Sequence, residues 1–272
     1  MVESKPPAAL NSILAATREG LAALRKHRDA LRRAAEAAPL GPSMLQALSG
    51  PEVAVIAEVK RRSPSRGAIA EDLDPVAHAR AYRRGGAVAV SVLTEGPHFG
   101  GALADLEAVA GAVDVPVLRK DFILDEVQLL EARIHGASAA LLIVRALDQA
   151  MLRDLHQTAG ELGLTSLVEV HTLGELDRAL ALGPALVGVN ARNLETFATN
   201  VAGMEMVLRA IPRPVIAVAE SGLSGRGDVE RVATWGADAV LVGAAVSSAR
   251  DPESAVRELC GVRRRAVRPE VA

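Results

Sequence analysis

Short apolar runs alternate with longer amphipathic segments along most of the chain. The first run, VAVIAEV, covers Val53–Val59, and seven similar runs follow it: Ala87–Leu93, Val115–Lys120, Ala139–Val144, Thr165–Val170, Leu186–Ala191, Pro214–Glu220 and Asp238–Ala244. The runs are rich in β-branched residues and almost continuously apolar, which is typical of parallel strands buried on both faces. The pattern therefore predicts eight strands of one parallel sheet.

The segments between the runs carry apolar residues at helical spacing. They predict helices over Pro75–Arg84, Leu103–Ala112, Asp125–His135, Gln149–Leu162, Leu173–Leu182, Val201–Ala210, Gly227–Trp235 and Pro252–Val262. Eight strand–helix units in a chain of this size predict an α/β fold, the (β/α)8 TIM barrel. The alternative is an open doubly wound sheet, but no G-x-G-x-x-G motif follows the first run.

Residues 10–48 differ from the rest of the chain, since they are rich in Ala, Leu, Arg and Glu and contain no strand-like run. We interpret them as one or two helices that precede the barrel. Because no compositional break suggests a second domain, we predict a single barrel domain over residues 1–272, with residues 1–48 as its N-terminal helical extension.

Polar residues collect where the predicted strands end. Glu58 and Lys60 end the first strand and, being two residues apart, point the same way. Four further residues end other strands in the same manner: Lys120, Glu169, Asn190 and Glu220. One charged residue at a strand end is ordinary, because strand ends meet water. Together, five strands would bring these side chains to one barrel mouth, where neighbouring charges tune each other for proton transfer.

Two loops rich in small residues follow the last two strands. They are AESGLSGRGD, which contains Gly222, and VGAAVSSARDP, which contains Gly243. Small residues allow backbone N–H groups to approach an anion, and barrels often bind phosphate after strands 7 and 8. The loops therefore favour a small phosphorylated substrate.

Composition narrows the function classes. The 272 residues carry a formal net charge of −2 and only 2% aromatic residues, so neither nucleic-acid nor membrane partners are expected. Cys260 is the only cysteine, which excludes an intrachain disulfide and fits a cytoplasmic location. The N-terminus lacks a signal-like apolar core. We expect a monomer or weak homo-oligomer. We also expect no bound metal, because the sequence contains no Cys/His ligand cluster.

Five segments, in order, are similar to one known family. They are IAEVKRRSPSRG, VLRKDFILDEVQLLEARIHGA, LVEVHT, VGVNARNLETF and AESGL, within roughly residues 50–260. Together they resemble indole-3-glycerol-phosphate synthase of tryptophan biosynthesis, in its single-function form. The resemblance implies ring closure of 1-(2-carboxyphenylamino)-1-deoxyribulose 5-phosphate to indole-3-glycerol phosphate, with loss of CO2 and water. It also implies that no cofactor or metal is needed.

The resemblance further implies roles for residues at the matching positions. Lys120 would be the general acid that protonates the substrate ketone, and Glu169 the general base of the later dehydration. Lys60 would hold the substrate carboxylate, Glu58 would orient the lysines, and Asn190 would contact the developing hydroxyl. The implied substrate contacts are Ser63, Gly222, Gly243 and Ala244 at the phosphate, Phe99, Phe122, Leu141 and Leu194 at the aromatic ring, Arg192 near the carboxylate, and Glu220 and Ser221 on the pocket floor.

At three places the chain differs from the family pattern, and the role expected of the residue there is less secure. Ala191 and Ala244 stand where relatives often carry polar residues, and the loop TEGPHFGG around Phe99 is a variant. None of these removes a proton-transfer group. Arg61 and Arg62 are expected to be largely dispensable.

Two alternatives compete with this interpretation. Phosphoribosylanthranilate isomerase would need a Cys/Asp pair, but Cys260 lies in the last predicted helix, away from the strand ends. A barrel that has lost its chemistry and serves as a binding partner would be expected to lose the charged set first, yet that set is intact.

Overall fold

Eight parallel strands form a closed barrel in the computed structural model, which describes residues 9–64, 67–192 and 199–270. The strands are β1 (Ala54–Val59), β2 (Ala89–Leu93), β3 (Val117–Lys120), β4 (Ala139–Ile143), β5 (Thr165–Val170), β6 (Leu186–Asn190), β7 (Ile216–Glu220) and β8 (Ala239–Val242). Each strand pairs with the next along the chain, and β8 pairs with β1. The predicted (β/α)8 barrel is confirmed.

Helices precede the barrel and alternate with its strands. Before β1 lie α1 (Ala9–Arg25), α2 (Arg28–Ala37) and α3 (Met44–Ala47). The helices that follow are α4 (Pro75–Gly85), α5 (Leu103–Ala110), α6 (Glu126–Ile134), α7 (Gln149–Glu161), α8 (Leu173–Leu180), α9 (Val201–Ala210), α10 (Arg226–Thr234), α11 (Ala244–Ser247) and α12 (Pro252–Leu259).

The sequence specifies several helix ends through side-chain caps. At the start of α4, the Asp74 carboxylate accepts hydrogen bonds from the backbone N–H groups of Val76 and Ala77, and Pro75 occupies the first turn. At its end, Gly86 adopts a φ of 107°, which favours glycine. Asp125, Asp148 and Thr172 cap α6, α7 and α8 in the same way as Asp74.

The strand register separates an apolar interior from a polar mouth. Leu141 pairs with Leu167 inside the barrel, and one step nearer the mouth Ile143 pairs with Glu169. Asn190 and Glu220 are likewise partners at the ends of β6 and β7. Side chains alternate between the two faces of each strand. In these strands, the inward-pointing side chains are polar mainly at the C-terminal end of the barrel.

The N-terminal helices pack against α6. Arg25 pairs with Asp125, and both Arg28 and Arg32 pair with Glu126. These ion pairs are partly exposed, so each adds little stability alone. They nevertheless join the helical extension to the start of α6, the helix that follows β3.

At the opposite end of the barrel, the C-terminal segment reaches a buried carboxylate. Arg268 donates a hydrogen bond to Asp238, which also accepts one from the backbone N–H of Ala217. Arg264 adds a second, longer ion pair with Asp238, with 3.5 Å between the charged atoms. Asp238 thereby joins the C-terminal segment to the starts of β7 and β8.

Several predicted element boundaries differ from the structure. The runs starting at Val115 and Pro214 begin as strands two residues later, because prolines at 116 and 214 cannot donate a ladder hydrogen bond. Val144 opens a short 3-10 turn, Val144–Ala146, and Ala244 belongs to α11. An antiparallel ribbon pairs Arg62–Ser63 with Gly67–Ala68.

Candidate active site

A cleft opens at the C-terminal mouth of the barrel, with about 790 Å³ of empty space that includes the open solvent at its entrance. Thirteen residues singled out from the sequence line the cleft: Glu58, Lys60, Ser63, Phe99, Lys120, Phe122, Leu141, Glu169, Asn190, Arg192, Glu220, Ser221 and Ala244. The structure therefore brings side chains from distant parts of the chain to one place.

The other three expected residues have different positions. Gly222 and Gly243 do not line the cleft themselves, but each directly follows or precedes a lining residue. Leu194 lies outside the described residues. Sequence reasoning missed five lining residues: Pro64, Leu93, Asp121, Ile143 and Leu241.

Glu58 and Lys60 form a close ion pair at the end of β1, with 3.0 Å between Lys60 Nζ and Glu58 Oε1. Ser91 donates a hydrogen bond to the other oxygen of Glu58. Burial alone would raise the pKa of Glu58, but the charges of Lys60 and Lys120 outweigh burial and hold that pKa below its usual value. Glu58 is therefore an ionised carboxylate in the wall of the cleft.

The backbone of Glu58 is anchored from outside the barrel. Tyr82 on α4 and Ser247 on α11 both donate to its carbonyl oxygen, at 3.3 and 2.7 Å. Both side chains are buried. These contacts tie the end of β1 to two different helices and restrict the direction of the Glu58 side chain.

Lys120 lies between two buried carboxylates. Its Nζ is 3.3 Å from Glu169 Oε2 and 3.5 Å from Glu220 Oε2. Burial would lower the pKa of the Lys120 ammonium, but Glu169, Glu220 and Glu58 together raise that pKa above its usual value. Lys120 is therefore charged at neutral pH.

The two carboxylates beside Lys120 differ in their pKa. Burial opposes ionisation of Glu169, yet the charges of Lys120 and His171 hold its pKa below the usual value. Burial raises the pKa of Glu220 to about 8, because Lys120 only partly offsets burial and the nearby negative charges of Glu169 and Glu58. Glu169 can therefore accept a proton at neutral pH, whereas Glu220 is largely protonated there.

Two aromatic rings line one side of the cleft. The centroids of Phe99 and Phe122 are 6.2 Å apart, and Lys60 Nζ lies 5.7 Å from the Phe99 centroid. The loop that carries Phe99 is held by Glu95, whose carboxylate accepts from the backbone N–H groups of His98 and Phe99. The two rings, tilted by 40° to each other, offer an apolar surface next to Lys60.

Arg61 also supports the Phe99 loop. Its guanidinium donates to Asp105 through both terminal nitrogens, at 2.5 and 3.1 Å, and to the carbonyl of Gly100. The expectation that Arg61 is dispensable does not fit this geometry, since Arg61 joins the loop after β1 to the loop after β2.

A buried arginine organises the other side of β3. Arg119 donates to Thr94, to Asp121 and to Glu131, as well as to the Gln128 carbonyl. Asp121 in turn accepts from the backbone N–H of Phe122. The network fixes the turn after Lys120 and hence the position of the Phe122 ring.

The loop after β7 contains two consecutive residues with positive φ. Ser221 has a φ of 68° and Gly222 a φ of 73°. Positive φ is uncommon for a residue with a side chain, and such residues often lie at functional sites. Ser221 lines the cleft, so this conformation occurs at the site itself.

The described residues form neither a metal-ion site nor a membrane-spanning helix. Across 9–64, 67–192 and 199–270, no group of three or more His, Cys, Asp or Glu side chains is arranged to hold a metal ion. No helix within these ranges has the length and apolar character needed to cross a membrane.

Chemically, the cleft combines an ammonium donor, an ionised carboxylate acceptor and an apolar wall. The donor and acceptor are in direct contact, and a second lysine lies beside the aromatic surface. Such a site can deliver a proton to one atom of a bound molecule and remove a proton from another.

Comparison with known proteins identifies the family. The family model described as indole-3-glycerol phosphate synthase matches residues 10–259. A protein of that name from Parafrankia sp. (strain EAN1pec) is 50% identical over 253 residues, which cover 92% of this chain and 94% of the relative. Its namesake from Nocardioides sp. (strain ATCC BAA-499 / JS614) is 56% identical over 208 residues, covering 76% of this chain and 80% of the relative.

A solved structure supports the fold alone. The 3-hexulose-6-phosphate synthase from Salmonella typhimurium has a TM-score of 0.62 at 15% identity, covering 76% of this chain and 96% of the other. The family model and the two close relatives confirm the resemblance that the sequence motifs indicate. The chain belongs to the indole-3-glycerol phosphate synthase family.

Proposed function

We propose that the chain converts 1-(2-carboxyphenylamino)-1-deoxyribulose 5-phosphate into indole-3-glycerol phosphate, CO2 and water by general acid–base catalysis. The observation that carries this proposal is the contact of 3.3 Å between the Lys120 ammonium and the Glu169 carboxylate at the barrel mouth. This contact supports the proposal, because a proton donor and a proton acceptor of suitable charge lie within reach of one substrate molecule.

Ring closure is the first step. The aromatic carbon that bears the carboxylate attacks the ketone carbon, and Lys120 delivers its proton to the ketone oxygen, which becomes a hydroxyl group. The ionised carboxylates of Glu169 and Glu58 keep Lys120 protonated until that moment. Glu58, through its contact with Lys60 and its charge near Lys120, orients both lysines.

Decarboxylation and dehydration follow. Loss of CO2 returns the bonding electrons to the ring and restores its conjugation. Glu169 then removes a proton from the adjacent carbon, while the hydroxyl leaves as water with a proton from Lys60. Asn190, which lines the cleft at the end of β6, contacts the departing hydroxyl. The proton taken up by Glu169 returns to Lys120 across their direct contact, and Lys60 regains its proton from water at the mouth of the cleft.

Substrate orientation uses the two ends of the cleft. We assign the phosphate to the polar end formed by Ser63, Ser221, Gly222, Gly243 and Ala244, with Glu220 on the floor. The aromatic ring lies against Phe99, Phe122 and Leu141, and Arg192 faces the carboxylate. Positioning the ring carbon next to the ketone contributes to the rate by removing the entropy cost of bringing them together.

A fluorescence assay tests the proposal. The purified protein is incubated with the carboxyphenylamino substrate, without added metal, and the indole product is followed by its fluorescence and identified by mass spectrometry. Turnover with release of one CO2 per product supports the proposal. An absence of product at high enzyme concentration contradicts it, provided that circular dichroism shows folded protein.

Two narrower statements remain predictions from the sequence alone. They are the cytoplasmic location and the monomeric or weakly oligomeric state.

A further inference from the structure

A buried histidine lies behind Glu169, on the side away from Lys120. The side chain of His171, which directly follows β5, is only 5% exposed. Its Nε2 atom is 3.7 Å from Glu169 Oε1, while Glu169 Oε2 faces Lys120. The two oxygens of one carboxylate therefore face two different nitrogen groups.

Among the described residues, neither of the two facing atoms has a hydrogen-bond partner: Glu169 Oε1 and His171 Nε2 are both buried and unpaired. Buried polar atoms are normally paired, so an isolated pair that faces each other calls for an explanation.

The orientation of His171 is set from the other side of its ring. Glu175 on α8 accepts from the His171 backbone N–H at 2.7 Å and contacts the ring Nδ1 at 3.2 Å. Arg145, in the 3-10 turn after β4, donates twice to Glu175. Burial would raise the pKa of Glu175, but His171 and Arg145 hold it below the usual value, so Glu175 is a charged acceptor.

This arrangement fixes which ring nitrogen carries a proton. A charged Glu175 requires N–H at Nδ1, which leaves Nε2 to face Glu169. In the neutral ring, Nε2 would present a lone pair to a carboxylate. In the imidazolium form, both nitrogens donate and both carboxylates are satisfied. Among the described residues, the charged groups that contact the ring are Glu169 and Glu175, and Arg145 pairs with Glu175.

We infer that His171 is a positioning residue for Glu169: oriented by Glu175 and Arg145, it holds one oxygen of the Glu169 carboxylate so that the other remains directed into the cleft. The inference rests on the proposed function, in which Glu169 is the base. It adds a chain of contacts, Arg145–Glu175–His171–Glu169, that reaches from α8 to the reacting atoms.

Two substitutions separate this role from a purely structural one. In His171→Gln the side-chain amide can reach the place of Nε2, whereas in His171→Asn it can only reach the place of Nδ1. We expect His171→Asn to lose about 10–100-fold in kcat, as outer-shell substitutions commonly do, with little change in KM. We expect His171→Gln to retain most of kcat. His27→Asn, at an exposed histidine between α1 and α2, is the control.

The pH profile of kcat supplies a second readout. Without a donor at Nε2, the pKa of Glu169 rises, so the acid limb of the profile moves to higher pH in His171→Asn and much less in His171→Gln. The reverse order, with Asn active and Gln impaired, would show that the ring only supports Glu175 and would overturn the inference. Equal loss in both variants would overturn it too.

An NMR measurement tests the contact between His171 and Glu169 without relying on enzyme activity. The imidazole ¹⁵N resonances of His171 in the wild-type protein should show both Nδ1 and Nε2 protonated, and the Nε2 resonance should shift in Glu169→Gln. An unshifted Nε2 resonance contradicts the contact even if the enzyme is active. If the wild type forms no product while the resonance does shift, the proposed function fails and the contact stands.

Discussion

Arg119 and Lys120 are consecutive residues of β3 whose cations serve opposite faces of the strand. Lys120 enters the cleft and contacts Glu169, whereas Arg119 lies outside the barrel wall and contacts Asp121 and Glu131. Arg119 is 3% exposed. One short strand thus supplies both a group for proton transfer and the group that fixes the turn beside it.

Replacement of Arg119 should cost stability and loosen the substrate site together. Arg119→Met leaves Asp121 and Glu131 buried without their cation, and we expect a loss of about 3–5 kcal/mol in the free energy of unfolding. Because the turn carrying Phe122 is released, KM should rise more than kcat falls. Urea denaturation and steady-state kinetics measure the two effects. Arg209→Met, which removes an exposed pair on α9, is the matched control.

In the control Arg209→Met, the loss in the free energy of unfolding should be about 0.5 kcal/mol or less. If Arg119→Met were as mild as Arg209→Met, the Arg119 network would not hold the turn.

Replacement of Lys120 should remove chemistry rather than binding. In Lys120→Ala the proton donor is absent, so we expect kcat to fall by about 10²–10⁴-fold, while substrate binding weakens far less. Single-turnover fluorescence gives the chemical rate and a titration gives the binding constant. Lys26→Ala, at an exposed position on the N-terminal segment, should match the wild type. An unchanged kcat in Lys120→Ala would show that another group is the acid.

Gly188 on β6 makes room for the Glu220 carboxylate. A Cβ at Gly188 would overlap Glu220 Oε1 and approach Leu167 Cδ1 to 3.2 Å. In Gly188→Ala, Glu220 must turn away from Lys120, so we expect kcat to fall at least about tenfold. The stability loss should stay within the roughly 1–3 kcal/mol typical of overpacking.

Gly160→Ala is the matched control for this prediction. Gly160 lies on α7 with nothing within 4 Å of its added Cβ, so alanine should raise stability slightly and leave kinetics unchanged. Equal kinetics for both alanine variants would argue that the position of Glu220 does not matter for turnover.

Glu220 should make stability decline with rising pH. Its ordinary pKa is 4.5 and its pKa in the folded protein is about 8, so between these values the folded state binds the extra proton. The unfolding free energy therefore falls as pH rises from about 5 to 8. In Glu220→Gln this contribution is absent, so the variant should gain stability relative to wild type as pH increases. Denaturation curves at pH 5, 6.5 and 8 measure the difference, and a constant offset would contradict the assignment.

The charged strand ends could be predicted from the sequence, because at each of them a charged residue interrupts an apolar run. Glu58, Lys120 and Glu169 each stand out for this reason, and all three line the cleft. Leu93, Ile143 and Leu241 also line it, but they follow other apolar residues. In a strand buried on both faces, the sequence does not distinguish inward from outward apolar positions.

The supporting networks were beyond sequence reasoning for a different reason. Arg119, Thr94 and Glu131 meet only because β2, β3 and α6 converge, and Arg61 reaches Asp105 across two loops. Such contacts depend on the packing of separate elements rather than on local periodicity. His171 lay in a quoted motif, yet its relation to Glu175 appears only when α8 is placed beside β5.

The pairing of β1 with β8 has a consequence for how the protein folds. Ala54 is aligned with Ala239, so closing the barrel joins two strands that are far apart in the sequence. Contacts of such long range are slow to form, because the entropy of closing the loop opposes them. Until β8 docks, β1 and β7 both expose unpaired edges that can pair with another chain. Docking of the last strand–helix unit therefore removes these edges and protects the newly formed barrel from aggregation.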